Sequence, residues 1–373
     1  MKGAVVAANV TGAGPKRLFV TDCEGPLSRN DNAQELAARF IPDGAEFFAR
    51  LSRYDDVLAD VERRPGYNAG DTLRLLPPFL LAFEVNDEEI EEFSAENVVL
   101  VPQALKVIDT VRPLLPSYVI STSYTPYIRA LCEVARFPCE RTRSTELRLA
   151  DWRMTADEKA WLRDQLPRVL RRPVIDIPDG AASLADLSPS DRHTVEDLDH
   201  LFWDETAGKV AGRIVATVRP VGGGMKLAAL REIAAAEVRA AADAAAGATD
   251  EPLAHVMYVG DSITDVPPLR AVREAGGVAL SFNGNAYALA AAEFAAAGAD
   301  ALPIAHLARA FARGGREAVL HEIRAWPKPK KGVSPTGRAA ATVGVLAEAG
   351  DALAEASRKA RREVRGERVA RLG

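Results

Sequence analysis

Residues 18–28 read Leu18-Phe19-Val20-Thr21-Asp22-Cys23-Glu24-Gly25-Pro26-Leu27-Ser28. A short apolar run that ends on an acid and a Gly-Pro pair has the pattern of a buried strand stopping at a turn. The pattern returns three times. Tyr118-Val119-Ile120 ends at Ser121, Val256-Met257-Tyr258-Val259 ends at Gly260-Asp261, and Val278-Ala279-Leu280 ends at Ser281-Phe282-Asn283-Gly284. Helical patterns lie between them, notably over 227–246 and 286–297. Strands alternating with helices predict an α/β fold, a Rossmann-like three-layer core around a parallel sheet. In such sheets functional groups gather at the carboxyl ends of the strands, where each of these polar motifs falls.

Two stretches interrupt the alternation. Residues 31–97 read as helical, with breaks at Pro42-Asp43-Gly44, Pro65-Gly66-Tyr67 and Pro77-Pro78, and hold sixteen acids against six arginines. Residues 145–217 carry a helical pattern over 156–171 and then a Pro- and Asp-rich passage. The predicted organisation is a core of 17–30, 98–144 and 218–325, a helical cap at 31–97 after the first strand, and a second insertion at 145–217. Residues 1–16 read as an N-terminal extension. Residues 326–373 read as a linker, Trp326-Pro327-Lys328-Pro329-Lys330-Lys331, followed by an Ala-rich helix with a basic end. Trp326 is expected to pack on the core.

Composition narrows the class of function. With 373 residues, 48% hydrophobic and 27% charged, the chain is long enough for a large core and is not disordered throughout. A net charge of -5 gives no reason to expect nucleic acid as a partner. Cys23, Cys132 and Cys139 are an odd, scattered set, which fits neither a disulfide framework nor a zinc site and suits a reducing cytoplasm. No apolar stretch is long enough to span a membrane, so a soluble, cytoplasmic protein is expected.

The strand-end residues suit phosphate-ester chemistry. An ionised aspartate can attack phosphorus and form an aspartyl phosphate that water then cleaves. Asp22 and Glu24, two apart on one turn, offer a nucleophile and an acid/base. Carboxylates beside a phosphate dianion repel it unless a cation intervenes, so magnesium is the expected cofactor, and Asp261 and Asp265, after a different strand, could complete its site. Lys226, at a helix start after Gly222-Gly223-Gly224, can balance charge on nucleophile and phosphate. Ser121 and the amides after it, Thr122 included, can hydrogen-bond phosphoryl oxygens.

In order, Asp22, Ser121, Lys226 and Asp261/Asp265 resemble the four signature positions of the haloacid dehalogenase superfamily. Ile120-Ser121-Thr122-Ser123-Tyr124-Thr125-Pro126 and the segment Lys226 to Arg231 look like motifs of its phosphoserine-phosphatase-type members. The resemblance implies that Asp22 is nucleophile and metal ligand. It makes Glu24 the acid/base, with its backbone carbonyl on magnesium, and makes Asp261 a metal ligand supported by Asp265. Two departures stand out: Glu24 replaces the usual Asp, and Gly25-Pro26 replaces Gly-Thr. A closer likeness is to the archaeal branch known as energy-converting hydrogenase A subunit R. It is carried by Asp22-Cys23-Glu24-Gly25-Pro26, Phe40-Ile41-Pro42-Asp43-Gly44, Tyr54-Asp55-Asp56, Gly70-Asp71-Thr72-Leu73 and Ser121-Thr122-Ser123-Tyr124.

The resemblance implies a cap that closes over the site and selects the substrate, with Arg53, Tyr54, Asp55, Asp56 and the turn Tyr67-Asn68-Ala69-Gly70-Asp71-Thr72 as binding candidates beside Thr122. The acidic cap favours a small phosphorylated metabolite over nucleic acid. In the tail, Glu363 and Glu367 interleave with Lys359, Arg361, Arg362, Arg365, Arg368 and Arg371, which reads as a solvated or partner-docking helix face. Every expected catalytic group precedes Pro327, so losing residues 327–373 should leave catalysis intact. The alternative to a magnesium-dependent phosphatase is a catalytically idle or regulatory subunit of the same fold, docked on a larger, hydrogenase-like complex. A phosphotransferase using the same intermediate is a third reading.

Overall fold

A computed structural model describes residues 16–242, 251–327 and 340–370. Seven strands form one sheet: β1 (Leu18–Thr21), β2 (Ser117–Tyr124), β3 (Thr142–Thr145), β4 (Val256–Gly260), β5 (Val278–Phe282), β6 (Phe294–Ala297) and β7 (Thr342–Val345). Their spatial order is β3-β2-β1-β4-β5-β6-β7, with all neighbours parallel except β6 and β7. Alternate residues face opposite layers, as the pleat requires. Phe19, Met257, Val259 and Leu280 join a core with the helices Ala104–Val111, Thr125–Ala135 and Leu302–Arg324. Leu18, Val20, Tyr258 and Ala279 join a second core with Leu230 and Ile233 of helix Gly223–Ala242 and Leu269 and Val272 of helix Val266–Glu274. Apolar residues on both faces explain why these strands read as continuous hydrophobic runs. The architecture is the expected three-layer α/β fold.

The chain adds β2 and β3 on one side of β1, then returns to place β4 on the other. The crevice at the carboxyl ends of β1 and β4 is therefore the topological switch point of the sheet, where α/β folds bind ligands.

Several elements differ from their sequence patterns. The alanines over 286–297 predict one helix, but the helix ends at Ala291 and Phe294–Ala297 is β6, fully buried between β5 and β7. Tertiary pairing overrides helix propensity there. Strand β2 runs through Ser121 to Tyr124 instead of stopping at Ile120, and its register against β3 shifts between Ile120 and Tyr124. The helix expected over 227–246 begins at Gly223 and is described to Ala242. Of the expected linker, Lys328 to Lys331 lie outside the described residues, as do residues 1–15 of the extension and Arg371. Trp326 is buried and donates from Nε1 to the Ala341 carbonyl at 3.1 Å.

The two insertions share one core. Leu36, Phe47, Leu51 and Phe79 from 31–97 cluster with Leu162, Leu166, Leu198 and Phe202 from 145–217. Phe79 links them, its ring centroid 4.6 Å from Phe47 and 6.2 Å from Phe202. Tyr124, at the end of β2, ties this helical body to the sheet by donating its hydroxyl to the Leu73 carbonyl at 2.6 Å. No described helix is long and apolar enough to cross a membrane. Because Phe79 is buried at the seam, Phe79→Ala should cost about 3–5 kcal/mol. Chemical denaturation should show the loss, and hydrogen exchange should rise in both insertions together.

Candidate functional site

Register sets the site. Thr21 of β1 pairs with Val119 of β2 and Val259 of β4, and the Asp22 amide extends the ladder by donating to the Val259 carbonyl at 2.8 Å. Asp22 and Asp261 thus leave adjacent strands side by side. The turn after β1 lies against Asp261. Gly25 has φ +96°, and a Cβ there would fall 2.3 Å from the Asp261 Cγ, so only glycine fits.

Lys226, fully buried in the first turn of helix Gly223–Ala242, places Nζ 2.7 Å from Asp22 Oδ2 and 2.8 Å from Asp265 Oδ1. Burial disfavours its charge, but Asp22 and Asp265 outweigh that and hold the ammonium above its ordinary value. Asp265 is saturated. Lys226 and the Tyr258 hydroxyl (2.8 Å) donate to one of its oxygens, and the amides of Asp261 (2.9 Å) and Ser262 (3.1 Å) donate to the other. Burial pushes this carboxyl up, yet Lys226 and the other donors bring it below the carboxylate range. Asp22 differs. Burial raises it well above the usual value, with Asp265 and Asp261 adding to the rise and Lys226 opposing it.

Asp22, Asp261 and Asp265 each bring a ligand atom within 4.8 Å of the others and could hold a metal ion. Hard carboxylate oxygens suit a cation such as magnesium. Bound positive charge would relieve the repulsion that pushes Asp22 up. Through the bonds it accepts, Asp265 also fixes Lys226 and the Asp261 backbone.

Glu24 lines the same cavity. Its Oε1 accepts from the Asn32 amide and the Ser123 hydroxyl, both at 2.8 Å. Burial, reinforced by Asp31, pushes its carboxyl up to about 8. Ser121 is buried, accepts from the Ser123 amide at 3.2 Å and donates its hydroxyl to Ser123 Oγ at 3.0 Å. The cavity is lined by Asp22, Glu24, Ser121, Thr122 and Asp261, together with Asp55, Gly70 and Thr72 of the cap. Thr122 Oγ1 is buried without a partner.

The structure does not bring three expected binding residues to this cavity. Arg53 pairs with Asp56 at 2.7 Å. Tyr54 is fully buried, donates to Asp199 and accepts from Trp203 Nε1 at 2.8 Å. Asp71 pairs with Arg74 at 3.0 Å. The other cap candidates Asp55, Asp56, Gly70 and Thr72 do line it, and Asp55 accepts from the amides of Gly70 (2.8 Å) and Thr72 (2.9 Å), which orders the loop above the cavity.

The larger correction concerns the tail. After β7, helix Leu346–Ala370 packs back on the sheet and buries Leu353, Ser357, Ala360, Arg361 and Val364 along one stripe. Arg361 and Arg365 both donate to Asp261 Oδ2, the latter at 3.1 Å. The tail therefore lines the candidate site, which corrects the reading of its helix as a solvated face with every site residue before Pro327. Spacing of four along a helix placed both arginines on one face and was the available signal. Ser123 stood in a quoted motif without a role.

No protein-family model and no curated protein matches this chain. Among solved structures it is similar to gene product AF1437 from Archaeoglobus fulgidus. The two share 28% identity at a TM-score of 0.78, over 96% of this chain and 99% of that one. The likeness takes in nearly the whole of both chains. It thus includes the insertions and the C-terminal segment as well as the sheet.

The saturated carboxylate gives a direct test. Asp265→Asn removes a charge from Lys226 and turns an amide donor toward other donors, so folding stability should fall by about 3–5 kcal/mol in denaturant titrations.

Proposed function

We propose that this protein is a magnesium-dependent phosphatase of the haloacid dehalogenase type, acting on the phosphate monoester of a small metabolite. One observation carries the reading: a buried Asp22 at the end of β1, 2.7 Å from Lys226 and beside Asp261, with the carboxyl of Glu24 two residues along the same turn. Asp22 and Asp261, with the Glu24 backbone carbonyl, would hold the ion. When bound, magnesium offsets carboxylate charge and polarises a phosphoryl oxygen.

In this reading a carboxylate oxygen of Asp22 attacks phosphorus, and the bond from phosphorus to the ester oxygen breaks. Glu24, raised by burial and so protonated at neutral pH, delivers its proton to the departing alkoxide. Water then attacks the aspartyl phosphate while Glu24 takes its proton, releasing phosphate and restoring Asp22. Lys226 opposes the rise that burial imposes on the Asp22 carboxyl and orients it. Thr122 would donate to a phosphoryl oxygen, which its unpartnered Oγ1 supports, and Ser121 would do so by releasing Ser123. The cap loop held by Asp55 would exclude water and contact the leaving group. An idle docking subunit would gain nothing from burying Asp22, Lys226 and Asp265 together, an arrangement with a heavy desolvation cost. The idle reading is therefore weaker.

Hydrolysis of an aryl phosphate should vanish in excess chelator and be inhibited by calcium, which prefers more and longer oxygen contacts. Undiminished turnover without metal would remove the magnesium assignment. Asp22→Asn should fall to background and form no phosphoenzyme. Glu24→Gln should be slower by roughly a hundredfold to ten-thousandfold and should accumulate acid-trappable phosphoaspartate, because water activation fails. Wild-type turnover in Asp22→Asn would refute the nucleophile.

A further inference from the structure

Resting on the phosphatase reading, we propose that Arg361 and Arg365, carried in by the C-terminal helix, are the anion-binding half of this site and receive the phosphate dianion of the ligand. The charge inventory of the cavity motivates the assignment. Its walls hold six acidic side chains, Asp22, Glu24, Asp31, Asp55, Asp56 and Asp261, and the two cationic ones are Arg361 and Arg365. Lys226 does not line the cavity and is already engaged by Asp22 and Asp265. A dianion entering this space is repelled by every carboxylate that remains ionised, so positive charge must stand in the wall. Among the described residues, the arginines supply it from the one segment that reaches the cavity from outside both the cap and the strand-end motifs.

Their geometry fits this use. Arg361 is 3% exposed, donates from Nη1 to Asp261 Oδ2 and, at 3.3 Å, to the Asp261 carbonyl, and its Nε has no partner. A buried guanidinium nitrogen with no acceptor, in the wall of a polar cavity, is a donor left for a ligand. Arg365 is braced from three sides, by Asp261 Oδ2 at 3.1 Å, the Asn30 carbonyl at 2.5 Å and the Arg29 carbonyl at 3.4 Å. The two residues share one carboxylate oxygen. Taking up the charge of Asp261 elsewhere would free donors of both for a tetrahedral oxyanion, which guanidinium matches with paired hydrogen bonds.

Inorganic phosphate is the probe. Calorimetric titration of the full chain, with magnesium and again after chelation, should show phosphate binding weakened roughly ten- to hundredfold in Arg361→Met and in Arg365→Met. Arg361→Lys should recover part of the loss. Arginines acting only as counter-ions of Asp261 would change the melting temperature but not the phosphate affinity. Folded variants that bind phosphate as the wild type does would overturn the proposal, as would a wild type that binds none. Should the variants fail to fold, the wild type still decides the matter. Saturating phosphate must slow hydrogen exchange along Leu346–Ala370, and unchanged exchange would reject the assignment. The phosphatase reading is judged separately, by turnover in Asp22→Asn. Phosphate binding through the arginines without Asp22-dependent turnover would refute that reading alone, whereas Asp22-dependent turnover with arginine-independent binding would refute the arginine subsite alone.

Discussion

Three carboxylates brought within reach of one another in a buried crevice are the constraint from which the rest of this structure follows. Asp22, Asp261 and Asp265 converge because β1 and β4 are adjacent and in register. Isolated charges so buried are very costly, and these are compensated from several parts of the chain, with Lys226 serving both Asp22 and Asp265. Lys226 comes from the start of a helix, Tyr258 from within β4, and Arg361 and Arg365 from the C-terminal helix. The fold places cations from two separate segments around one acidic point. Asp22, despite Lys226, is still raised by burial and by its acidic neighbours, so the compensation is incomplete where a cation and substrate would enter.

How much of this could be read from the sequence depended on how local each signal is. Strands β1, β2, β4 and β5 announce themselves through apolar runs ending in polar turns, and the site residues Asp22, Glu24, Ser121 and Asp261 fall at or near those ends, while Lys226 opens a helix after a glycine run. Strand β3 is a short Thr-Arg-Ser-Thr stretch at the sheet edge, without an apolar run. Strand β6 is Phe-Ala-Ala-Ala, whose composition favours a helix when read in isolation, and only pairing on both sides makes it a strand. The arginine pair was visible as a spacing. That the spacing faced inward depends on β7 docking beside β6 and turning the helix over Asp261, which no local pattern encodes.

The cap shows the same limit at the level of single residues. Tyr54-Asp55-Asp56 attracts attention as a polar cluster, but on a helix its members point in different directions. Tyr54 faces the core that the two insertions share, and Asp55 faces the cavity loop. A motif locates a helix turn more readily than it identifies which side chain meets the ligand. The second insertion, without a role when read alone, is the other half of the cap's core. Phe202 and Leu198 give the helices around Phe79 the apolar partners they lack within residues 31–97.

Strand β1 has a kinetic consequence as well. Leu18 pairs with Val256, a separation of 238 residues, and Phe19 pairs with Ser117 on its other side. Both neighbours of the strand that carries Asp22 are remote in sequence, and both insertions lie between Leu18 and Val256. Closing so long a loop costs entropy before any contact repays it, and folding rates fall as contacts become less local. The centre of the sheet is therefore expected to assemble late and slowly. Until it does, β1 is an unpaired apolar strand, the kind of segment that draws chains into aggregation during refolding.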